Sequence, residues 1–436
     1  MPAESTPKSM RPFFTIWIGQ MFSLLGSQLV QFALIWWLTQ QTGSATVLAG
    51  TSIVGLVPQV ILGPFVGPLI DRWNRKWTMI LADAAVALST GVLVYLFWTG
   101  AVEVWHIYAI LFIRALGGSF HWPAMTASIS LMVPQEHLTR VQGLNQILNG
   151  GLSIASAPLG ALLISLLPME NVLMIDIVTA AIAMATIAFV HVPQPETRQA
   201  QMGETSASYL ADLRAGLRYI LNWRGLMLLG GMSMLINMVL GPTTSFMPLL
   251  ITDHFSGTAW HLGLIEAAFG IGVLAGGILL SVWGGFKRRI YTSLVGLGGI
   301  GVGILVVGLA PANLFSLAVA GMAFGGVMSS LCNGPVMAIF QSTVAPSMQG
   351  RVFTLIGSAS AAMMPLSLAL AGPIADIIGV RTWFLIGGLA TLALCLIAPF
   401  IPSLVNIERD RDDFVEETGR VAVPHLAPVV KAAEKA

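Results

Sequence analysis

Charge is what this sequence has least of. Of its 436 residues only 9% are Asp, Glu, Lys or Arg, against 56% hydrophobic, and mean hydropathy is +0.81. Soluble domains carry about 25% charged residues. A water-soluble enzyme of this size is therefore excluded, because its surface could not be covered. Cysteine is nearly absent too. Cys332 and Cys395 both lie in apolar runs, which argues against a disulfide framework and a zinc site. A formal net charge of +1 leaves no basic domain for nucleic acid. There is no Walker loop, metal-ligand cluster or nucleophile constellation, so no cofactor is expected and ATP-driven chemistry is disfavoured. Gly296, Gly298, Gly299, Gly301 and Gly303 fall within one apolar run and read as helix-packing positions, not a phosphate cradle.

What the sequence has is apolar blocks of about 20 residues, the length that crosses a bilayer core. The pattern predicts an all-α polytopic membrane protein of twelve transmembrane helices. Six spans fall at about 12–38, 46–70, 77–98, 104–132, 140–167 and 171–191, and six more at about 224–252, 260–283, 290–310, 314–345, 350–374 and 381–402. The expected organisation is an N-terminal six-helix bundle (1–192), a cytosolic linker (193–223), a C-terminal six-helix bundle (224–402) and a cytosolic tail (403–436). With both termini in the cytosol, 19 of the 21 Lys and Arg residues fall on the inner side, as the positive-inside rule requires. An error in the number of spans would have put the later clusters outside. Only Arg114, within a span, and Arg381, at an outer loop, stand apart.

The two sets of six are related by an internal repeat. Pro123-Ala-Met, Val133-Pro134 and Arg140-Val141 in and after the fourth span match Pro335-Val-Met, Ala345-Pro346 and Arg351-Val352 in and after the tenth, at offsets of 212, 212 and 211 residues. Two joined halves suit alternating access, with a substrate site near the midplane between them.

Gly67-Pro-Leu-Ile-Asp71-Arg72-Trp-Asn74-Arg75-Lys76 resembles the signature loop of the major facilitator superfamily, Gly-x-x-x-Asp-Arg-x-Gly-Arg-Lys. Asn74 replaces the usual Gly, and Asn is the next best residue for keeping a left-handed turn there. Phe14-Thr-Ile-Trp-Ile-Gly-Gln20, Leu111-Phe-Ile-Arg114, Phe120-His-Trp-Pro-Ala124 and Gly350-Arg-Val-Phe353 are similar to the macrolide-efflux branch of drug:proton antiporters. The fifth span, with Ala157-Pro158-Leu159-Gly160, matches the antiporter pattern in part. The resemblance implies two pseudo-symmetric six-helix halves in a bacterial inner membrane. It also implies a monomer and efflux of a lipophilic small molecule against protons. A siderophore or other metabolite exporter, and an importer or facilitator of a small solute, remain open on the same fold. A receptor or membrane enzyme would need an attached domain or catalytic cluster.

Ionisable groups within spans are expensive and so are functional candidates. They are Asp83, Arg114, His121, Asp176 and Glu266. Arg114 and His121, seven residues apart, share a helical face, and the resemblance places Arg114 at a position linked to proton coupling. There it is expected to hold a carboxylate. Glu266 and Asp176 are expected to carry protons or a cationic substrate, or else to be hydrated at the outer mouth. Asp83 is expected to pair with a base of the 71–76 loop or with Arg140. The resemblance makes Gly67, Asp71, Arg72, Arg75 and Lys76 a cytoplasmic gate; basic residues that merely fix topology are the alternative. Gln20, Ser27 and Gln31 lie on a polar stripe of the first span, and Asn237 and Asn333 on those of the seventh and tenth. These are expected to line the cavity, with interhelical hydrogen bonding the competing reading.

Overall fold

Deprived of water, a backbone must close its hydrogen bonds within its own segment, and an apolar run does so as a helix. The computed structural model describes residues 10–190, 192, 194 and 206–409. Among them there is no strand. Helices α1 (Arg11–Thr42), α2 (Ala45–Arg72), α3 (Arg75–Thr99), α4 (Val104–Met132), α5 (Leu138–Leu166) and α6 (Met169–Phe189) form the first set. A shorter α7 (Ser206–Asn222) follows. The second set is α8 (Arg224–Ser245), α9 (Ala259–Trp283), α10 (Arg289–Leu309), α11 (Phe315–Thr343), α12 (Pro346–Ile378) and α13 (Val380–Ile397).

Eleven of these helices are long and apolar enough to cross a membrane. The twelfth, α4, has the length, 29 residues, but not the apolarity. His106, Arg114 and His121 dilute it, and it is held by packing against α2 and α3. So the helix that fails the hydropathy test carries two of the candidate coupling residues. The repeat is visible in the coordinates: α4 and α11 are both 29 residues long and each contains one proline, Pro123 and Pro335.

Two segments differ from expectation. The seventh span does not run unbroken to 252. It stops at Ser245 and continues as a turn, Met247–Leu249, and a π-helical turn, Leu250–His254. Pro242 and Pro248 each lack the N–H that a continuous helix needs. Within the polar stretch 193–223 lies α7, whose Gly216 rests on Leu355 and Arg351 of α12. The tail expected at 403–436 falls mostly beyond the described residues.

Each half is held by its own contacts, α1 on α6 and α5 in the first and α10 on α11 and α13 in the second. Between halves the main contacts are α2 with α12 and α5 with α9. Glycine permits both approaches. A Cβ on Gly372 would sit 3.0 Å from Thr46 Cα, and one on Gly263 3.0 Å from the Ala157 carbonyl.

The apolar cores show how the halves meet. We call the end where α1 begins the inner end, following the positive-inside reading. At the outer end a single core joins Leu34, Leu38, Leu48 and Leu173 of the first half to Phe246, Leu262, Leu368 and Phe384 of the second. At the inner end there are two separate cores, one around Phe13, Ile70 and Met79, the other around Leu226, Ile339 and Phe340. Among the described residues an apolar core joins the halves at the outer end and none joins them at the inner end.

Candidate functional site

A cavity of about 650 Å³ occupies the first half's inward face, bounded by α1, α2, α3 and α4. Gln20, Ser27 and Gln31 of α1 line it, as do Asp83 of α3 and Arg114 and His121 of α4. Arg114 and His121 are both on this wall because seven residues make two helical turns.

Arg114 forms an ion pair with Asp176 of α6. Its guanidinium also donates to Thr90 Oγ1 (3.0 Å) and to the Ser27 carbonyl (3.3 Å). Asp176 is 1% exposed and additionally accepts from Ser27 Oγ at 3.0 Å. The Thr90 hydroxyl shares its single proton between the Val86 carbonyl at 2.9 Å and Asp176 at 3.2 Å. One ion pair thus ties α1, α3, α4 and α6 together.

The second acid is differently placed. Asp83 accepts from Gln20 Nε2 at 3.3 Å, and His121 Nε2 stands 3.5 Å from its other oxygen. Its partners are therefore in the cavity wall, not the basic loop or Arg140 as expected. Asp83 lies two turns into α3 from Arg75, level with His121, and that depth sets its company. A smaller lobe of about 200 Å³ shares Gln20, His121 and Trp122 and extends along Gln142 and Asn145 of α5. There Trp17 Nε1 donates to Asn145 Oδ1 at 2.8 Å.

The second half presents a different wall. A cavity of about 320 Å³ is lined by Asn237, Asn333, Phe269, Met322 and Phe384, and Met364 borders both this cavity and the first. Asn237 and Asn333 are stripe residues that donate to their own helices, at the Ser233 and Ser329 carbonyls. Glu266 of α9 lines neither cavity. Leu264, Ile271, Ile278 and Val282 form the exposed apolar stripe of α9, and at about 100° per residue Glu266 points roughly 145° away from it. It lies between the face that packs on α5 through Gly263 and Gly270 and the face that packs on α11 through Gly272 and Gly276. Glu266 is exposed on the side of α9 away from that apolar stripe. Among the described residues it has no hydrogen-bond or ion-pair partner.

The family model of the Major Facilitator Superfamily matches residues 16–368. The chain belongs to the major facilitator superfamily. It is 34% identical over 396 residues to macrolide efflux protein A of Streptococcus pyogenes, covering 91% of this chain and 97% of the relative. It is 33% identical over 326 residues to macrolide efflux protein A of Enterococcus faecalis, covering 75% and 100%. The multidrug efflux pump Tap of Mycolicibacterium fortuitum is 27% identical over 415 residues, covering 91% and 97%. Among solved structures, a nucleoside transporter superposes with a TM-score of 0.68 at 13% identity, covering 88% and 98%. The xylose transporter XylE from E. coli, in an inward-open conformation, gives 0.65 at 13%, covering 88% and 95%. The protein is a multi-pass membrane transporter of this superfamily and not an enzyme.

The superfamily's signature loop joins α2 to α3. Arg75, 7% exposed, donates to the Ala127 carbonyl of α4 at 2.8 Å. Lys76 Nζ donates to the Ala188 and Val190 carbonyls at the end of α6, at 2.6 and 3.0 Å, where helix carbonyls lack intrahelical partners. Gly67, Asp71 and Arg72 fall at the end of α2, and the surroundings of Gly67 and the side chains of Asp71 and Arg72 lie outside the described residues. The left-handed turn expected at Asn74 is not found. Asn74 has φ −70° and ψ 109°, and its side chain accepts from Trp77 N as the N-cap of α3. Asparagine suits an N-cap as well as it suits a left-handed turn, and a helix starting at Arg75 leaves no room for the turn.

Sequence reasoning missed Thr90, Gln59 and Thr51, which complete the ion-pair cluster or the cavity wall. Thr90 was the findable one, since Thr90 and Asp83 are seven residues apart and share a face of α3.

Proposed function

We propose that this transporter exports amphipathic, lipophilic compounds, macrolide-like molecules among them, from the cytosol across the bacterial plasma membrane in exchange for protons, with both termini cytosolic. The observation that carries the reading is the contrast between the two walls of a cleft parted at its inner end. The first half offers glutamines, serines, Asp83 and His121; the second offers Met322, Met364, Phe269 and Phe384. A ligand with one hydrogen-bonding face and one apolar face satisfies both. Methionine and aromatic surfaces also adapt to varied apolar shapes. The names borne by the efflux relatives agree with this direction and substrate class.

In the inward-open state a cytosolic ligand reaches Asp83, His121 and Glu266. Asp176, buried and paired, is out of reach of water until α1, α3, α4 and α6 shift. Glu266, unpaired, is the residue a basic amine on the ligand would meet, giving up its proton as the amine binds. After the halves rock, a proton from outside displaces the amine. Arg75, Lys76, Asp71 and Arg72 close the cytosolic side in the opposite state, and a contact made in one state only biases the rocking equilibrium. The unit is a monomer.

Trp17 and Trp122 border the small lobe and supply the test. Titrating purified transporter with a macrolide should quench tryptophan emission saturably. Trp122→Phe together with Trp17→Phe should remove most of that signal. A non-saturable change, or one indifferent to both tryptophans, would place the ligand elsewhere.

A further inference from the structure

One acidic side chain joins the two halves where they meet outside. Asp376 lies near the C-terminal end of α12, in the second half. It accepts four hydrogen bonds from the N-terminus of α2, in the first. Its Oδ1 takes the Ala45 amide at 2.6 Å. Its Oδ2 takes the Thr46 amide at 3.2 Å, the Thr46 hydroxyl at 2.6 Å and the Ser44 hydroxyl at 3.0 Å. Ser44, the residue that would cap α2 alone, accepts only from the Val47 amide at 3.3 Å. The first two amides of α2, orphaned in any helix, are served by the opposite half. A carboxylate on a helix N-terminus is favoured by the helix dipole, and charge-assisted hydrogen bonds are about twice as strong as neutral ones.

The contact has a counterpart in the sequence. Gly372-Pro373-Ile-Ala-Asp376 repeats Gly67-Pro68-Leu-Ile-Asp71 at a constant offset of 305 residues. The two segments end the antiparallel partners α12 and α2, at opposite ends of the pair. Gly372 brings α12 close enough to Thr46 and Ala49 for Asp376 to reach the first turn of α2. Among the described residues a second side-chain hydrogen bond between the halves is a neutral one, Ser52 Oγ to Ser245 Oγ at 3.1 Å.

We infer that Asp376 is the outer latch of the transport cycle: a positioning residue, remote from substrate, whose bonds to the α2 N-terminus hold the inward-open state and must break before the halves part outside. The inference rests on the alternating-access part of the proposal above and on no substrate assignment. Its test therefore uses no substrate.

In a background of Cys332→Ala and Cys395→Ala, Ser52→Cys with Ser245→Cys places a thiol pair across the outer seam. In membranes, with copper phenanthroline added as the two-electron oxidant, this pair should form a disulfide readily, because the outer end is closed. Adding Asp376→Ala should lower the closed-to-open ratio, and with it the cross-linking rate, about fivefold, the typical effect of losing a helix cap. Thr46→Val should act in the same direction but less, and Thr46→Val with Asp376→Ala should be no worse than Asp376→Ala alone, since both remove one contact. A general loss of fold would lower cross-linking without that non-additivity, and folded yield on size exclusion would expose it. Unchanged cross-linking in Asp376→Ala, or additive effects of the two substitutions, would overturn the latch. Lost macrolide binding with an intact cross-linking response would instead count against the substrate reading alone.

Discussion

Replacing Arg114 with Leu should destabilise the transporter by about 3–5 kcal/mol, the usual cost of stranding one member of a buried ion pair. Asp176, 1% exposed, would keep only the Ser27 and Thr90 hydroxyls. Hydrogen bonds of that kind within membranes are worth about 0.6 kcal/mol each, too little to hold a bare carboxylate in an apolar bundle. Asp176→Leu alone should do comparable damage by stranding the guanidinium. Combining Arg114→Leu with Asp176→Leu should recover most of the loss, because two apolar side chains need no partner. Thermal unfolding of the purified variants measures this directly. If the double variant is as unstable as the sum of the singles, the pair does not hold the four helices as described. If it is stable yet does not transport, the pair also belongs to the cycle.

Glu266→Gln should abolish uphill, gradient-driven efflux while leaving ligand binding and downhill exchange largely intact. The substitution keeps the side chain's size and polarity and removes only its titratable proton. Since Glu266 has no described partner, no ion pair is broken, and folded yield should match the parent. Resistance in a sensitive host should fall to the level of the empty vector. Retention of full resistance would move coupling to Asp83 and His121. A loss of ligand binding equal to the loss of efflux would make Glu266 a binding residue and not a coupling one.

Much of this architecture is legible in the sequence, because a bilayer allows so few solutions. Run length sets the spans, and the sidedness of Lys and Arg is the ground on which their direction is proposed. The readings that failed were those decided by local backbone chemistry. Asn74 can serve a left-handed turn or a cap, and only the start of α3 at Arg75 decides between them. Pro242 and Pro248 break the seventh span inside a stretch that hydropathy reads as continuous. For the site, single-helix facts transferred well: Arg114 and His121 share a wall, and Gln20, Ser27 and Gln31 line it. Pairings between helices did not transfer, because they depend on relative depth. Arg114 was expected to hold a carboxylate, but nothing in the sequence named Asp176, and Asp83 proved to face His121. Asp376 falls outside the eleventh span as read from the sequence, which ends at about 374, and a boundary shift of two residues suffices to turn an acid docked on a neighbouring helix into an unremarkable loop residue.

The most direct measurement is made on inverted membrane vesicles loaded by the transporter itself. With an imposed inside-acid pH gradient, labelled macrolide should accumulate, and adding macrolide should speed proton exit from the lumen. Dissipating the gradient with an ionophore should stop both. Accumulation that persists undiminished without the gradient would contradict proton-coupled efflux.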